Sequence, residues 1–117
     1  NNKIVTLDIK KESLMGGMSC GEVSTIPWNI INHNCNYCIS IPDDKISDTI
    51  KLLASSSFGE NKLIGGECAT PGIISLIASC NNIKLKKKLN LDKNSQVLLL
   101  GCEGDVDEEL YQKLLNK

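Results

Sequence analysis

The fold of this chain is indicated most clearly by the stretch Val97-Leu98-Leu99-Leu100-Gly101-Cys102-Glu103-Gly104-Asp105-Val106-Asp107. Its four leading apolar residues are typical of a buried strand, and the glycines after them predict a tight turn. The acidic residues that follow suit the start of a helix, where the helix dipole favours negative charge. Ligands of open α/β sheets bind where strands end and helices begin, so this turn, with Cys102 at its tip, is a candidate site of chemistry.

Composition excludes several classes of protein. The 117 residues suffice for a single domain over residues 1–117 with a modest core, and 41% apolar with 23% charged residues is close to the globular average. The net charge is −1, and all thirteen basic residues are lysines, so the chain lacks the basic excess and the arginines of a nucleic-acid surface. Its apolar runs are too short to span a bilayer, and no signal-peptide pattern is present. We expect a cytoplasmic protein without nucleic-acid or membrane partners.

Predicted strands and helices alternate along the chain. Apolar patterns predict strands over residues 4–9, 37–41, 63–64 and 97–100, the last covered on both faces. Capping residues, prolines and apolar spacing predict helices after Ser24 or Thr25, after Asp43 or Asp44, after Thr70, over residues 83–89 and over residues 108–115. The helix after Thr70 is apolar on most sides and should be buried. This alternation predicts an α/β fold, with a largely parallel sheet and flanking helices.

Three turns rich in small residues are the strongest candidates for a site. They cover residues 16–22, 65–69 and 101–105. The last two follow predicted strands, and if they converge at one edge of a sheet they form a crevice with closely spaced backbone, the thiols of Cys68 and Cys102, and Glu67. Such a crevice suits a flat polar cofactor ring better than an extended anion. The alternative is that these glycines only allow helices to pack tightly.

Two other chemistries are possible at the turn that carries Cys102. Glycines before a helix can hold a phosphate, but the carboxylates crowded there would repel it. A thiol at a helix N-terminus can be a nucleophile because its pKa falls, yet nearby carboxylates raise that pKa again. The order Gly101-Cys102-Glu103-Gly104 also departs from the Gly-x-nucleophile-x-Gly elbow. A small cysteine-nucleophile enzyme therefore stays open as an alternative.

The remaining cysteines and the lysines favour no further site. His33, Cys35 and Cys38 are three potential zinc ligands, but a structural zinc site needs four ligands and no second pair stands out. We therefore expect no metal site, with Cys38 in the core and Cys35 half-exposed. Nothing marks secretion, so the six cysteines are expected to be reduced thiols rather than disulfides. The lysines lie in charged surroundings rather than in an apolar pocket, so none is a convincing Schiff-base lysine.

Four segments resemble the diaminopropionate ammonia-lyases, in order and in spacing. Leu14-Met15-Gly16-Gly17-Met18-Ser19-Cys20-Gly21-Glu22 resembles their IMAGLxCGE segment, and Ile39-Ser40-Ile41-Pro42-Asp43 resembles ISVPD. Gly66-Glu67-Cys68-Ala69 with Gly72 resembles GESGAxG, and Cys102-Glu103-Gly104-Asp105-Val106-Asp107 resembles TEGDTD.

The resemblance implies a pyridoxal 5'-phosphate enzyme of fold type II, the tryptophan synthase beta-like superfamily. Such an enzyme eliminates ammonia from 2,3-diaminopropionate to give pyruvate, and it is a homodimer. This chain matches the C-terminal third of the family enzyme or less. The Schiff-base lysine and the glycine-rich phosphate loop are expected upstream, so the chain alone should be inactive and should need the upstream polypeptide.

The resemblance carries over three cofactor-binding residues and no catalytic one. Cys102 takes the place of a hydroxyl residue that faces the pyridine nitrogen. Glu67 matches a glutamate near the ring, and Gly17 matches a glycine that lets the ring lie against the backbone. The chain departs from the family where Cys68 and Ala69 replace Ser-Gly and where Pro71 enters the next helix. These departures keep open the alternative of a stand-alone or degenerate α/β binding or structural module.

Overall fold

The computed structural model describes residues 4–59 and 61–117. The chain divides into two compact units, the first ending at Ser40 and the second covering Ile41–Lys117. The expectation of a single domain over residues 1–117 stays a prediction.

The first unit contains a short 3₁₀ helix, Gly16–Met18, and the helix α1, Thr25–Asn34. α1 confirms the helix predicted after Ser24 or Thr25, and Ser24 precedes it in an extended conformation. Upstream, the backbone N–H of Leu7 donates to the carbonyl of Gly21 at 2.7 Å. This hydrogen bond ties the start of the unit to the glycine-rich segment before α1.

The described residues of the second unit, 41–59 and 61–117, form four helices: α2 Ile46–Ala54, α3 Pro71–Asn81, α4 Ile83–Lys88 and α5 Glu108–Asn116. Short 3₁₀ helices, Asp43–Lys45 and Glu67–Ala69, precede α2 and α3. α2 packs against α3 and α5, and α3 packs against α4. All four helices were predicted from the sequence, with ends that differ by a few residues, as is usual.

The core of the second unit lies around α2. Ile46 and Ile50 are fully buried and Leu53 is 5% exposed, which confirms the apolar stripe read from their spacing. The other buried apolar side chains of the unit are Cys68, Ile74, Tyr111 and Leu114. The Ser47 hydroxyl donates to the carbonyl of Leu114 at 2.6 Å, so a hydrogen bond joins α2 to the last turns of α5.

Helix starts follow local capping chemistry. The Asp107 carboxylate accepts a hydrogen bond from the N–H of Leu110 at 2.9 Å, which caps α5. The Asn82 side chain accepts from the N–H groups of Lys84 and Leu85 at 3.0 and 3.1 Å, which caps α4. Each cap satisfies N–H groups that the first turn of a helix leaves without a partner inside the helix.

The expected burial of α3 is wrong for most of the helix. Ile74 is buried, but Ile77 is 42% exposed and Ala78 is also exposed. An apolar helix surface is buried only where another element covers it. Here α2 and α4 pack on parts of α3 and leave the rest of its apolar surface open.

The predicted parallel sheet is also wrong: residues 4–59 and 61–117 form helices and irregular segments, with no strand. Apolar patterning favours a strand, but a strand exists only where a ladder of hydrogen bonds joins it to another segment. The segment 63–64 shows the difference, because Leu63 donates one backbone hydrogen bond to Leu53, at 3.1 Å, beside a helix rather than a strand. The α/β fold class is therefore corrected to a helical one for the described residues.

The run Val97–Leu100, which carried the clearest strand prediction, is also not a strand. Leu98 and Leu100 are 85% and 82% exposed, while Val97 and Leu99 are 45% and 38% exposed. The expectation of cover on both faces is wrong, because Leu98 and Leu100 are almost fully exposed. Leu99 is partly covered, since its side chain lies against Gly72 of α3.

Candidate functional site

The turns at residues 65–69 and 101–105 lie side by side in the second unit. The N–H of Gly66 donates to the backbone carbonyl of Glu103 at 3.2 Å. The N–H of Cys68 donates to the side-chain Oε2 of Glu103 at 3.0 Å. Glu103 thus accepts from the same turn twice, once on its backbone and once on its carboxylate, and it fixes the two turns together.

The close approach of the two turns depends on Gly66. A Cβ added to Gly66 would overlap the carbonyl oxygen of Gly104 and would lie 2.9 Å from Oε2 of Glu103. A Cβ on Gly104 would meet nothing within 4 Å. The two backbones touch at Gly66, so there is no space for a side chain and glycine is required at this position.

Cys102 and Glu67 lie on opposite members of this pair of turns. The Cys102 thiol is exposed, and its Sγ lies 3.7 Å from the carbonyl oxygen of Cys68, a long and weak hydrogen bond. Glu67 is half-buried, and its own carbonyl accepts from the N–H and the hydroxyl of Thr70 at 3.3 and 2.7 Å. Thr70 is fully buried at the start of α3, so the beginning of that helix holds Glu67 in place.

The side chains of Glu67, Cys68 and Glu103 gather at the junction of the two turns. One ligand atom from each lies within 4.8 Å of the others, and Cys68 is only 3% exposed. Two carboxylates so close together make this end of the site acidic. A phosphate or another anion is disfavoured here by charge repulsion.

A groove of about 340 Å³ opens beside the junction. Its walls are mostly apolar and are formed by Leu53, Phe58, Leu63, Ile64, Ile73 and Leu99. Gly101 and Glu103 also line it, so the groove continues from the paired turns. This geometry suits a flat, uncharged ligand face that lies on apolar side chains and presents polar atoms to the turns.

The structure therefore brings two of the three glycine-bearing turns together. Gly17 lies in the first unit, inside the 3₁₀ helix Gly16–Met18, and its position relative to Glu67 and Cys102 stays a prediction. Sequence reasoning missed Glu103, which it treated only as one of several charges. The available signal was an acidic residue between Gly101 and Gly104, where a side chain can reach a neighbouring backbone.

The cysteine segment after α1 differs from expectation. Cys38 is exposed, so its predicted place in the core is wrong, and Cys35 is exposed as well. The apolar residues beside Cys38 suggested a buried strand, but this segment is irregular and lies at the surface. Among residues 4–59 and 61–117, the group of potential metal ligands that gathers is Glu67, Cys68 and Glu103, and His33 with the two cysteines is not one. Within the same ranges, no helix has the length and apolar character needed to cross a bilayer.

Comparison with known proteins gives sequence relatives. No protein-family model matches the chain, and no solved structure matches it. It is 31% identical over 107 residues to a diaminopropionate ammonia-lyase from Salmonella typhimurium (strain LT2), an alignment that covers 88% of this chain and 26% of the relative. Diaminopropionate ammonia-lyases from Escherichia coli strains K12 and O157:H7 are 27% identical over 115 residues, covering 96% of this chain and 29% of each relative. The chain thus spans less than a third of the length of the curated relatives it matches, and over that part it is similar to ammonia-lyases.

Proposed function

We propose that this chain is the C-terminal part of a pyridoxal-phosphate-dependent ammonia-lyase that converts 2,3-diaminopropionate to pyruvate and ammonia by α,β-elimination. The observation that carries the proposal is the similarity to diaminopropionate ammonia-lyases over 88% of the chain. The joined turns at 65–69 and 101–105 add support, because they hold two of the three residues expected to face the cofactor.

The groove beside these turns fits one part of the cofactor and not another. Its apolar walls suit the face of a pyridine ring, and Gly101 and Glu103, which flank Cys102, supply polar atoms at one end. The Glu67 and Glu103 carboxylates make that end unfavourable for a phosphate. We infer that this chain forms the ring side of the site and that residues outside it bind the phosphate.

Bound pyridoxal phosphate would supply an electron sink for loss of the α-proton. The role of Cys102 is to offer a neutral, weak hydrogen-bond donor to the pyridine nitrogen. A neutral donor leaves that nitrogen unprotonated, and this suits elimination, where the leaving group on the β-carbon accepts the electron pair. The thiol now donates to the Cys68 carbonyl at 3.7 Å, and so long a bond is easily exchanged for a ligand.

Glu67, Gly17 and Glu103 have supporting roles. Glu67 places a carboxylate beside the ring, and Gly17 lets the ring approach the backbone. Glu103 is a positioning residue, because its carboxylate holds the Cys68 N–H at 3.0 Å and keeps the two turns in register. The lysine that binds the cofactor belongs to upstream polypeptide, and the working enzyme is a homodimer.

The test compares two proteins: the longer polypeptide in which this chain occurs, and residues 1–117 alone. Pyruvate formation from 2,3-diaminopropionate is measured for both, with visible absorbance as a readout of cofactor binding. Activity and absorbance are expected only in the longer polypeptide. Turnover by residues 1–117 alone would contradict the division of roles. A native protein with an intact mass of 12.8 kDa would instead support a stand-alone module.

A further inference from the structure

Cys35 and Cys38 form a pair of thiols that the proposed function does not use. α1 ends at Asn34, and Cys35 follows it as the C-cap, with its N–H donating to the carbonyl of Ile31 at 2.8 Å. Cys38 lies three residues further along, and both side chains are exposed. The pair is therefore open to small molecules in solution, and its first member is anchored to the end of a helix.

The two thiols are in contact with each other. The Cys35 side chain hydrogen-bonds the Cys38 thiol, and the Cys35 thiol also donates to the carbonyl oxygen of Tyr37 at 3.1 Å. The hydrogen bond to Tyr37 holds the Cys35 sulfur beside the residue that precedes Cys38. A pair of sulfurs in such contact, separated by two residues, has the spacing of a Cys-x-x-Cys motif.

The charge state of Cys35 affects the pKa of Cys38. The hydrogen bond to Cys35 and a charge on its sulfur both raise the pKa of Cys38. A charge on Cys35 therefore disfavours a second charge on Cys38. Once Cys35 is bonded to another sulfur it carries no charge, and the repulsion that disfavours a Cys38 thiolate is gone. This order suits two successive attacks, the first by Cys35 and the second by Cys38.

We propose that Cys35 and Cys38 are a thiol–disulfide exchange site that reacts with low-molecular-weight disulfides and closes to an intramolecular disulfide. The Cys35 thiolate attacks one sulfur of the small disulfide, forms a mixed disulfide and releases one thiolate, which takes up a proton. The Cys38 thiolate then attacks the sulfur of Cys35 and releases the second small thiol. Overall, the protein dithiol loses two hydrogens and two electrons, and one small disulfide becomes two thiols.

The test uses oxidised glutathione as the small disulfide. The protein is equilibrated at graded ratios of oxidised to reduced glutathione, quenched in acid, alkylated and mapped by mass spectrometry. We expect the Cys35–Cys38 disulfide to be half-formed at an oxidised glutathione concentration at least about tenfold lower than half-modification of exposed Cys80, because the second step is intramolecular.

Variants distinguish formation of the Cys35–Cys38 disulfide from the reaction of any exposed thiol with glutathione. Cys38→Ser should leave Cys35 as a stable glutathione adduct, and Cys80→Ser should leave closure of the pair unchanged. The preference over Cys80 should also shrink in urea, because unfolding removes the contacts that hold the sulfurs together. The proposal is overturned if Cys35 and Cys38 accumulate separate glutathione adducts, or if urea leaves the preference unchanged.

Discussion

Gly66 and Gly104 look alike in the sequence, yet only one of them is required by the packing of the site. A Cβ on Gly66 would run into the carbonyl of Gly104, whereas a Cβ on Gly104 would meet open space. Backbone cannot move aside as a flexible side chain can, so the two turns would have to separate. We expect Gly66→Ala to lower the free energy of unfolding by about 1–3 kcal/mol, as overpacking does elsewhere.

Gly104→Ala is the matched control for this change. It should alter the free energy of unfolding by no more than about 0.5 kcal/mol, the usual range for surface substitutions. Urea unfolding followed by far-ultraviolet circular dichroism measures both variants. Equal effects of the two substitutions would show that the turns do not touch at Gly66.

The Glu103 side chain provides a hydrogen-bond acceptor for a backbone N–H that is buried from water. Its carboxylate accepts from the N–H of Cys68, a residue only 3% exposed. Glu103→Ala should therefore lower the free energy of unfolding by about 1–3 kcal/mol, the cost of leaving a buried donor without a partner. Glu103→Gln keeps an oxygen acceptor and should lose less.

Asp105→Ala is the control for the charge, because Asp105 is exposed in the same turn. Its effect in the same urea experiment should be small. If Asp105→Ala matched Glu103→Ala, the effect would come from the net charge of the turn rather than from the bond to Cys68.

For individual residues, the sequence indicated where the site lies but not which contacts hold it together. The glycines around Glu67 and Cys102 predicted turns, because glycine preferences are local. The partner of the Glu103 carboxylate lies 35 positions away, at Cys68. A contact over such a distance depends on the folded chain, so no spacing rule applied to this sequence could identify it.

Helices could be predicted because their signals lie within a few residues, whereas a strand depends on a segment that is distant in the sequence. The Asp107 cap of α5 and the proline that starts α3 act within a few residues, and so does the spacing of Ile46, Ile50 and Leu53. A strand needs hydrogen bonds to a distant segment, and the apolar run at 97–100 contains no information about such a partner. Apolar spacing was therefore reliable for α2 and capping chemistry for α5, whereas the apolar run at Val97–Leu100 was misleading.

Substitutions at Asp107 test whether the capping residue stabilises α5. Its carboxylate accepts from the N–H of Leu110 at 2.9 Å. Asp107→Ala removes the cap and should lower the free energy of unfolding by about 0.5–2 kcal/mol. Asp107→Ser keeps a capping oxygen and should recover most of that loss. Urea unfolding measures both, and an alanine variant as stable as the parent would mean that packing of Tyr111 and Leu114 alone determines α5.

The chain as a whole combines exposed apolar side chains with a net charge close to zero. Fourteen acidic and thirteen basic residues give a net charge of −1, so self-repulsion is weak. Leu98, Leu100 and Val106 are each more than 80% exposed, at 85%, 82% and 85%. Exposed apolar side chains favour association when charge does not oppose it.

We therefore expect residues 1–117, prepared alone, to associate as concentration rises, and we expect Leu98→Lys with Leu100→Lys to reduce this association. Size-exclusion chromatography with light scattering measures the mass. The matched control places lysines at Val97 and Leu99, which are only 45% and 38% exposed. That control should lower the stability to urea more than it changes association, because Leu99 packs against Gly72 and lines the groove. A parent chain that stays monomeric at every concentration would show that the exposed run at 97–100 does not cause association.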